Sequence, residues 1–212
     1  MVTHLVWDWN GTLLDDFHVI VTATNETIET VGGKRLSADQ HRDAFYRPII
    51  DFYSDLAGRR LTVPEFTALD RTFHLSYRRG LDTCGLTHDA RDAITSWPGS
   101  QSLLSMWFHD ELVPLVEHHG LTAHFDRVDG LRAGAGSESK HPHLVTHLAA
   151  LGIAPGDTVL IGDSVDDALA ADRAGARCVL YSGGFTSEAK LREVGVPVAA
   201  SLTEAVRLAR LG

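Results

Sequence analysis

Lysine, cysteine and methionine are all scarce in this chain. Three of its 212 residues are Lys (Lys34, Lys140 and Lys190), and the 19 basic residues are outnumbered by 28 acidic ones, for a net charge of −9. Recognition of nucleic acid or of an anionic membrane needs clustered positive charge, so neither is expected as a partner. The two cysteines, Cys84 and Cys178, are far apart and outside any metal-ligand spacing, which argues against a disulfide framework or a zinc site. No apolar run approaches the ~20 residues of a membrane helix, and the amino terminus lacks a charged-then-apolar leader, so a soluble, cytoplasmic protein is expected. Low-complexity stretches are missing too, and 44% hydrophobic with 22% charged residues is an ordinary globular balance. At roughly 150 residues per domain the length suits one domain with a sizeable insertion.

What is present is an alternating pattern with one interruption. His4–Trp7 (HLVW) is a short apolar run that ends in the polar stretch Asp8-Trp9-Asn10-Gly11-Thr12, as expected of a buried strand delivering a loop. Over residues 17–88 the apolar positions recur at helical spacing, and turn signals at Gly32-Gly33, Pro48, Gly58 and Pro64 divide the segment into three or four helices without an evident strand. Beyond it, strand-like and helix-like runs alternate: 102–108 then 110–119, 158–161 then Val165–Ala174, Arg177–Tyr181, and 196–199 then 202–211. Such alternation predicts βαβ units around a parallel sheet. The expected fold is therefore α/β: a Rossmann-like parallel-sheet core formed by residues 1–16 and 89–212, with an all-helical insertion over 17–88. That insertion is charge-balanced, so the acidic excess belongs to the core.

In an open parallel sheet, loops at the carboxyl ends of strands face a common crevice. Two such loops here carry carboxylates. Asp8 leaves the first strand, and Asp163 leaves the apolar run VLI in Gly162-Asp163-Ser164-Val165-Asp166-Asp167, where Asp167 adds a second carboxylate from the first helical turn. Carboxylates that converge repel one another, and a hard, oxygen-seeking cation such as Mg²⁺ resolves the conflict. Each feature has a plainer reading. Asp8 and Asn10 suit a turn, and Asp163, Ser164 and Asp167 suit a helix cap, which is compatible with metal binding.

These residues, taken in order, resemble the haloacid dehalogenase-like phosphohydrolases, in the branch of phosphoglycolate phosphatase and β-phosphoglucomutase that inserts a helical cap. The DxDGT motif of that family is similar to Asp8-Trp9-Asn10-Gly11-Thr12. Its strand-ending Ser or Thr is similar to Ser105 in SLLSMW, its lone Lys to Lys140 in SESKHPHL, and its GDxxxD to Gly162, Asp163 and Asp167. The resemblance implies a Mg²⁺-dependent phosphatase for a small phosphorylated metabolite. Asp8 would be the nucleophile, forming an aspartyl-phosphate, and the metal would be held by Asp8, the backbone carbonyl of Asn10 and Asp163, with Asp167 orienting its waters. Ser105 and nearby backbone N–H groups would hold phosphoryl oxygens at a helix start, and Lys140 would supply positive charge. Substrate contacts are expected from Trp9, Ser105, Met106, Lys140 and, in the cap, Arg47.

The chain departs from the family at Asn10, where the hydrolases carry an acid–base Asp. An amide cannot shuttle a proton, and general acid–base help is worth about 10²–10⁴-fold. Two alternatives follow: a catalytically weak phosphate-binding or regulatory protein, or cleavage of a phosphonate C–P bond by relatives that also lack this acid and use a cap Lys, here only Lys34. A true dehalogenase would have no use for the acidic motif at Asp163 and Asp167. His18 is a candidate substitute donor, His143 and His147 are expected on a solvated helix face, and Phe52, Tyr46 and Tyr53 in the core of the cap. Oligomeric state is not legible.

Overall fold

The computed structural model describes residues 2–132 and 139–211. A six-stranded, fully parallel sheet is built from β1 (His4–Trp7), β4 (Ser100–Phe108), β5 (Val128–Leu131), β6 (Thr158–Gly162), β7 (Arg177–Tyr181) and β8 (Val198–Ala199), in the order β5-β4-β1-β6-β7-β8. Strand order reverses around β1, so the crevice between the carboxyl ends of β1, β4 and β6 is the natural place for a ligand. The expected Rossmann-like α/β arrangement is present.

Alternating side chains explain why the sheet is covered on both faces. In β1, Leu5 and Trp7 pack into one core and Val6 into another; in β6, Val159 and Ile161 join the first and Leu160 the second. The first core is closed by α5 (Ala90–Ser96), α6 (His109–His118) and α10 (Leu202–Arg210), and the second by α7 (His141–Leu151), α8 (Val165–Ala174) and α9 (Glu188–Glu193). Fully burying one such aliphatic side chain contributes about 1.5–3 kcal/mol. No helix among the described residues is long and apolar enough to cross a membrane.

Four helices interrupt this pattern: α1 (Phe17–Glu29), α2 (Ala38–Ala44), α3 (Ile49–Ala57) and α4 (Val63–Gly80). Capping boxes start α2 (Ser37 with Gln40) and α4 (Thr62 with Glu65), satisfying otherwise orphaned backbone donors. Ile28, Phe52, Tyr53, Leu61 and Leu69 form a separate core for these helices, as expected for Phe52 and Tyr53, whereas Tyr46 is exposed. The expectation of no strand in this stretch needs correcting. Gly85–Leu86 (β3) pairs antiparallel with Leu14–Asp15 (β2), so the two chain crossings are hydrogen-bonded to each other. Two residues per strand carry no periodicity, which is why the pair is invisible in the sequence.

Two other expectations change. β5 was not foreseen, because VDGL is half-buried at the sheet edge and lacks an apolar run. His147, expected on a solvated face, is only 1% exposed. Its Nε2 lies 2.7 Å from Ser102 Oγ and its Nδ1 2.8 Å from Asp129 Oδ2. Ser102 Oγ also meets His4 Nε2 at 2.7 Å, and His4 Nδ1 meets Ser100 Oγ at 2.7 Å. A polar chain thus runs beneath the sheet, with every ring nitrogen partnered, as burial requires.

Candidate active site

Asp8 follows β1 and Asp163 follows β6, and the pairing of Trp7 with Ile161 places these strand ends side by side. Asp8 N donates to Ile161 O at 2.9 Å, continuing the ladder up to the first carboxylate. Asp167 arrives from the first turn of α8, where it closes a capping box with Ser164: Asp167 Oδ2 accepts from Ser164 N at 3.0 Å and Ser164 Oγ at 2.6 Å. One oxygen from each of Asp8, Asp163 and Asp167 lies within 4.8 Å of the others, and all three residues are buried.

Lys140, at the start of α7 and 2% exposed, enters this cluster. Its Nζ lies 2.9 Å from Asp8 Oδ2 and bonds Asp167 Oδ1. Burial works against its ammonium, but Asp167 and Asp8 outweigh that and raise its pKa. Three buried carboxylates facing one ammonium leave excess negative charge. Burial, reinforced by Asp167 and opposed by Lys140, pushes Asp8 up to about 7, and burial with the charges of Asp8 and Asp167 raises Asp163 well above the usual carboxylate range.

Asp163 is tightly cradled. Its Oδ1 accepts from Thr12 Oγ1 at 3.0 Å and its Oδ2 from Phe185 N at 2.7 Å. Gly11, at φ +69°, and Gly184 lie so close that a Cβ on either would collide with this carboxylate. Thr12 stands in the first motif, but neither Phe185 nor Gly184 carries a sequence signal for this role. The donor set of hard, converging oxygens with uncompensated charge fits Mg²⁺.

Asn10 occupies a position that its sequence context only half explains. Its Nδ2 donates to Asp16 Oδ2 at 2.9 Å and to Tyr77 OH at 2.8 Å, while its Oδ1 accepts from Ser105 Oγ at 3.1 Å. Asp16 is fully buried and also accepts from Tyr77 OH at 2.6 Å and from Gly11 N at 2.7 Å. Burial raises Asp16 to about 6 against these hydrogen bonds. Although Asp16 precedes α1, its side chain forms no helix cap and turns instead to Asn10. In the sequence Asp16 is only the last residue before the helical insertion, and Tyr77 stands in it without any motif.

Other expected residues are placed as follows. Ser105 lies inside β4, not at a helix start; α6 begins only at His109, and Ser105 Oγ accepts from Trp107 N at 3.0 Å. The β4–β5 register shifts between Leu104 and Phe108, which frees this stretch from regular pairing. The Trp9 indole is buried in the sheet's core, and only its backbone reaches the site, where Trp9 N donates to Asp8 Oδ1 at 2.8 Å. Met106 and Arg47 line a cavity of 640 Å³ between the helical segment and the sheet, together with Asp8, Asn10, Lys140 and Asp163. Arg47 Nε lies 3.9 Å from Asp166 Oδ2. His18 points to Thr83 Oγ1, 3.2 Å away, and Lys34 is exposed; neither lines the cavity.

Residues 139–205 match the family model of HAD-hydrolase-like proteins. Solved structures match along nearly the whole chain. A haloacid dehalogenase-like family hydrolase from Streptococcus pneumoniae is 20% identical with a TM-score of 0.83, covering 100% of this chain and 99% of that one. The fold is haloacid dehalogenase-like. A predicted phosphatase from Clostridium acetobutylicum has this fold at 15% identity and a TM-score of 0.86, with 100% of both chains covered. A predicted phosphoglycolate phosphatase from Haemophilus somnus follows at 16% identity and 0.75, with 98% of each chain covered. No curated protein matches the sequence. The family resemblance carried by the sequence motifs thus agrees with the fold.

Proposed function

We propose that this haloacid dehalogenase-like chain is a Mg²⁺-dependent phosphohydrolase of a small phosphorylated metabolite, working through an aspartyl-phosphate on Asp8. The observation that carries the reading is the convergence of Asp8, Asp163 and Asp167 within 4.8 Å at the strand ends, with Lys140 Nζ 2.9 Å from the Asp8 carboxylate. Asp8, the Asn10 backbone carbonyl and Asp163 would hold the cation, and Asp167 would orient its waters. Mg²⁺, when bound, offsets charge between the attacking carboxylate and the phosphoryl oxygens.

The side chains then divide the work. The Asp8 carboxylate attacks phosphorus, and water later releases phosphate from it, splitting one hard displacement into two. Lys140 screens the nucleophile from the dianionic ester, and Ser105 and the neighbouring backbone hold phosphoryl oxygens. Residues 17–88 act as a cap that excludes water, with Arg47 as a polar contact on its cavity side. Fold similarity alone does not assign this activity; what supports it is the residue set at the strand ends.

The test is to assay phosphate esters with and without Mg²⁺, using Asp8→Asn as control, and to trap phosphate on Asp8 by acid quench. Turnover that ignores the metal or survives loss of Asp8 would sink the mechanism. A second reading, a phosphate binder with weak turnover, draws on the Asn10 amide, whose two hydrogens are both committed elsewhere. Phosphate binding without trapped Asp8 ester would favour it.

A further inference from the structure

The cavity wall is mostly apolar, and part of it lies outside the three hydrophobic clusters. Ile50, Met106 and Phe185 line the cavity yet belong to none of the three hydrophobic clusters, and Phe45, Phe66 and Phe73 line it beside them. Apolar side chains lining a cavity of this size are what a ligand with an apolar body requires. Trp107 Nε1 and His41 Nδ1 belong to lining residues and are buried without a hydrogen-bond partner among the described residues. Neither atom is exposed to the cavity, so neither takes part in holding a ligand.

Among the described residues, the position at which the resembled family carries its acid offers no proton to a leaving group. Both amide hydrogens of Asn10 go to Asp16 and Tyr77. Asp166 is engaged by Arg47 and by Lys140 N. Burial lowers the His41 pKa to about 4, so its ring is neutral near pH 7. Without an acid at that position, an ester oxygen departs as an anion. A phenolic oxygen, of pKa about 10, does so far more easily than an alkoxide, whose parent alcohol lies near water at about 15.7.

We propose that the substrates are aryl phosphates, monoesters whose leaving oxygen sits on an aromatic ring held against Ile50, Met106 and Phe185. This rests on the phosphohydrolase reading above. An Asp8 oxygen bonds to phosphorus as the P–O(aryl) bond breaks, and the bonding pair leaves on the aryloxide, which takes its proton from solvent. Water then bonds to phosphorus, the P–O bond to Asp8 breaks with the pair returning to the carboxylate, and the net products are a phenol and hydrogen phosphate.

The experiment compares kcat/KM of the full chain with Mg²⁺ for phenyl phosphate, ring-substituted phenyl phosphates, acetyl phosphate, glycerol phosphate and phosphoglycolate. Acetyl phosphate has a good leaving group but no ring. The expected result is phenyl phosphate favoured over both alkyl esters by at least about 100-fold, the size of the missing acid's contribution, with rates rising as the phenol becomes more acidic. Ile50→Asn, and separately Met106→Gln, should lower the preference for phenyl over acetyl phosphate by about tenfold, the scale of one lost apolar contact. Alkyl esters turned over as fast as phenyl phosphate, or an unchanged phenyl-to-acetyl ratio in both variants, would overturn the assignment while leaving the phosphohydrolase standing. No turnover of any ester, acetyl phosphate included, removes both.

Discussion

Asn10 Nδ2 sits 2.9 Å from Asp16 Oδ2, so the amide that stands where the family has an acid is tied to a buried carboxylate six positions along the chain. The pairing needs a donor at residue 10 while Asp16 is charged. It makes Asn10 part of a local polar unit with Tyr77 and Ser105, and not an isolated loss.

That unit predicts how the obvious revertant behaves. Asn10→Asp would set two carboxylates against each other in a buried site, at an expected cost of about 3–5 kcal/mol in urea unfolding, the range for an uncompensated buried charge. Asn10→Asp with Asp16→Asn restores one donor and one acceptor and should regain most of the loss. Additive single effects in the double-mutant cycle would show that the pair is not coupled.

Cation binding should register as stability. At Mg²⁺ concentrations near 100 times Kd the gain is about 2.7 kcal/mol, or about 5–10 °C in Tm for a chain of this size. Asp8→Asn should shrink that rise. Because Asp8 is pushed up to about 7 by burial and by Asp167, removing its charge should leave the metal-free Tm equal or higher. A metal-free Tm well below wild type would contradict the charge argument.

Gly184→Ala tests the cradle on purely steric grounds. The added Cβ would collide with Asp163, so either that carboxylate or the Phe185 backbone must shift. The Mg²⁺-induced rise in Tm should fall by half or more, read by thermal unfolding with and without the ion. An undiminished rise would mean the loop yields freely.

Acid should weaken the protein through His4. Burial, aided by His147, lowers its pKa from the ordinary 6.5 to about 4. The unfolded chain therefore binds more protons than the native one between those values, and the His4 contribution to stability is lost as pH falls from 6.5 to 4. His4→Gln removes this term, so its stability relative to wild type should improve by about 1–3 kcal/mol over that interval. A pH-independent difference would exclude His4 as the cause.

The sequence was most legible where periodicity and burial coincide. His4–Trp7, Val165–Ala174 and Arg177–Tyr181 appear with the expected bounds, because the side chains of the two strands alternate between two cores and the helix turns its alanines to one of them. Asp8, Asp163 and Asp167 do come together, since each sits at a strand end or helix start that the alternation locates, and Lys140, which only the family motif marks in the sequence, joins them. Asp16 and Tyr77 were missed because their meeting with Asn10 depends on how α4 returns over the first loop, a tertiary event without local signature. His147 was misjudged for a related reason: i, i+4 spacing shows that two residues share a helix face, not which face the sheet covers. Trp9 shows the converse, a loop residue whose ring belongs to the core.

The β2–β3 pair sets how the two parts of the molecule can move. Leu14 is bonded in register with Leu86 and Asp15 with Gly85, while Thr87 N holds Leu13 O at 2.9 Å and Thr87 Oγ1 holds Thr12 O at 2.6 Å. The two crossings cannot slide past one another without breaking this ribbon. Any relative motion of the two parts would therefore turn about one shared axle instead of bending two independent tethers, and that axle is anchored to the loop bearing Asp8, Asn10 and Thr12.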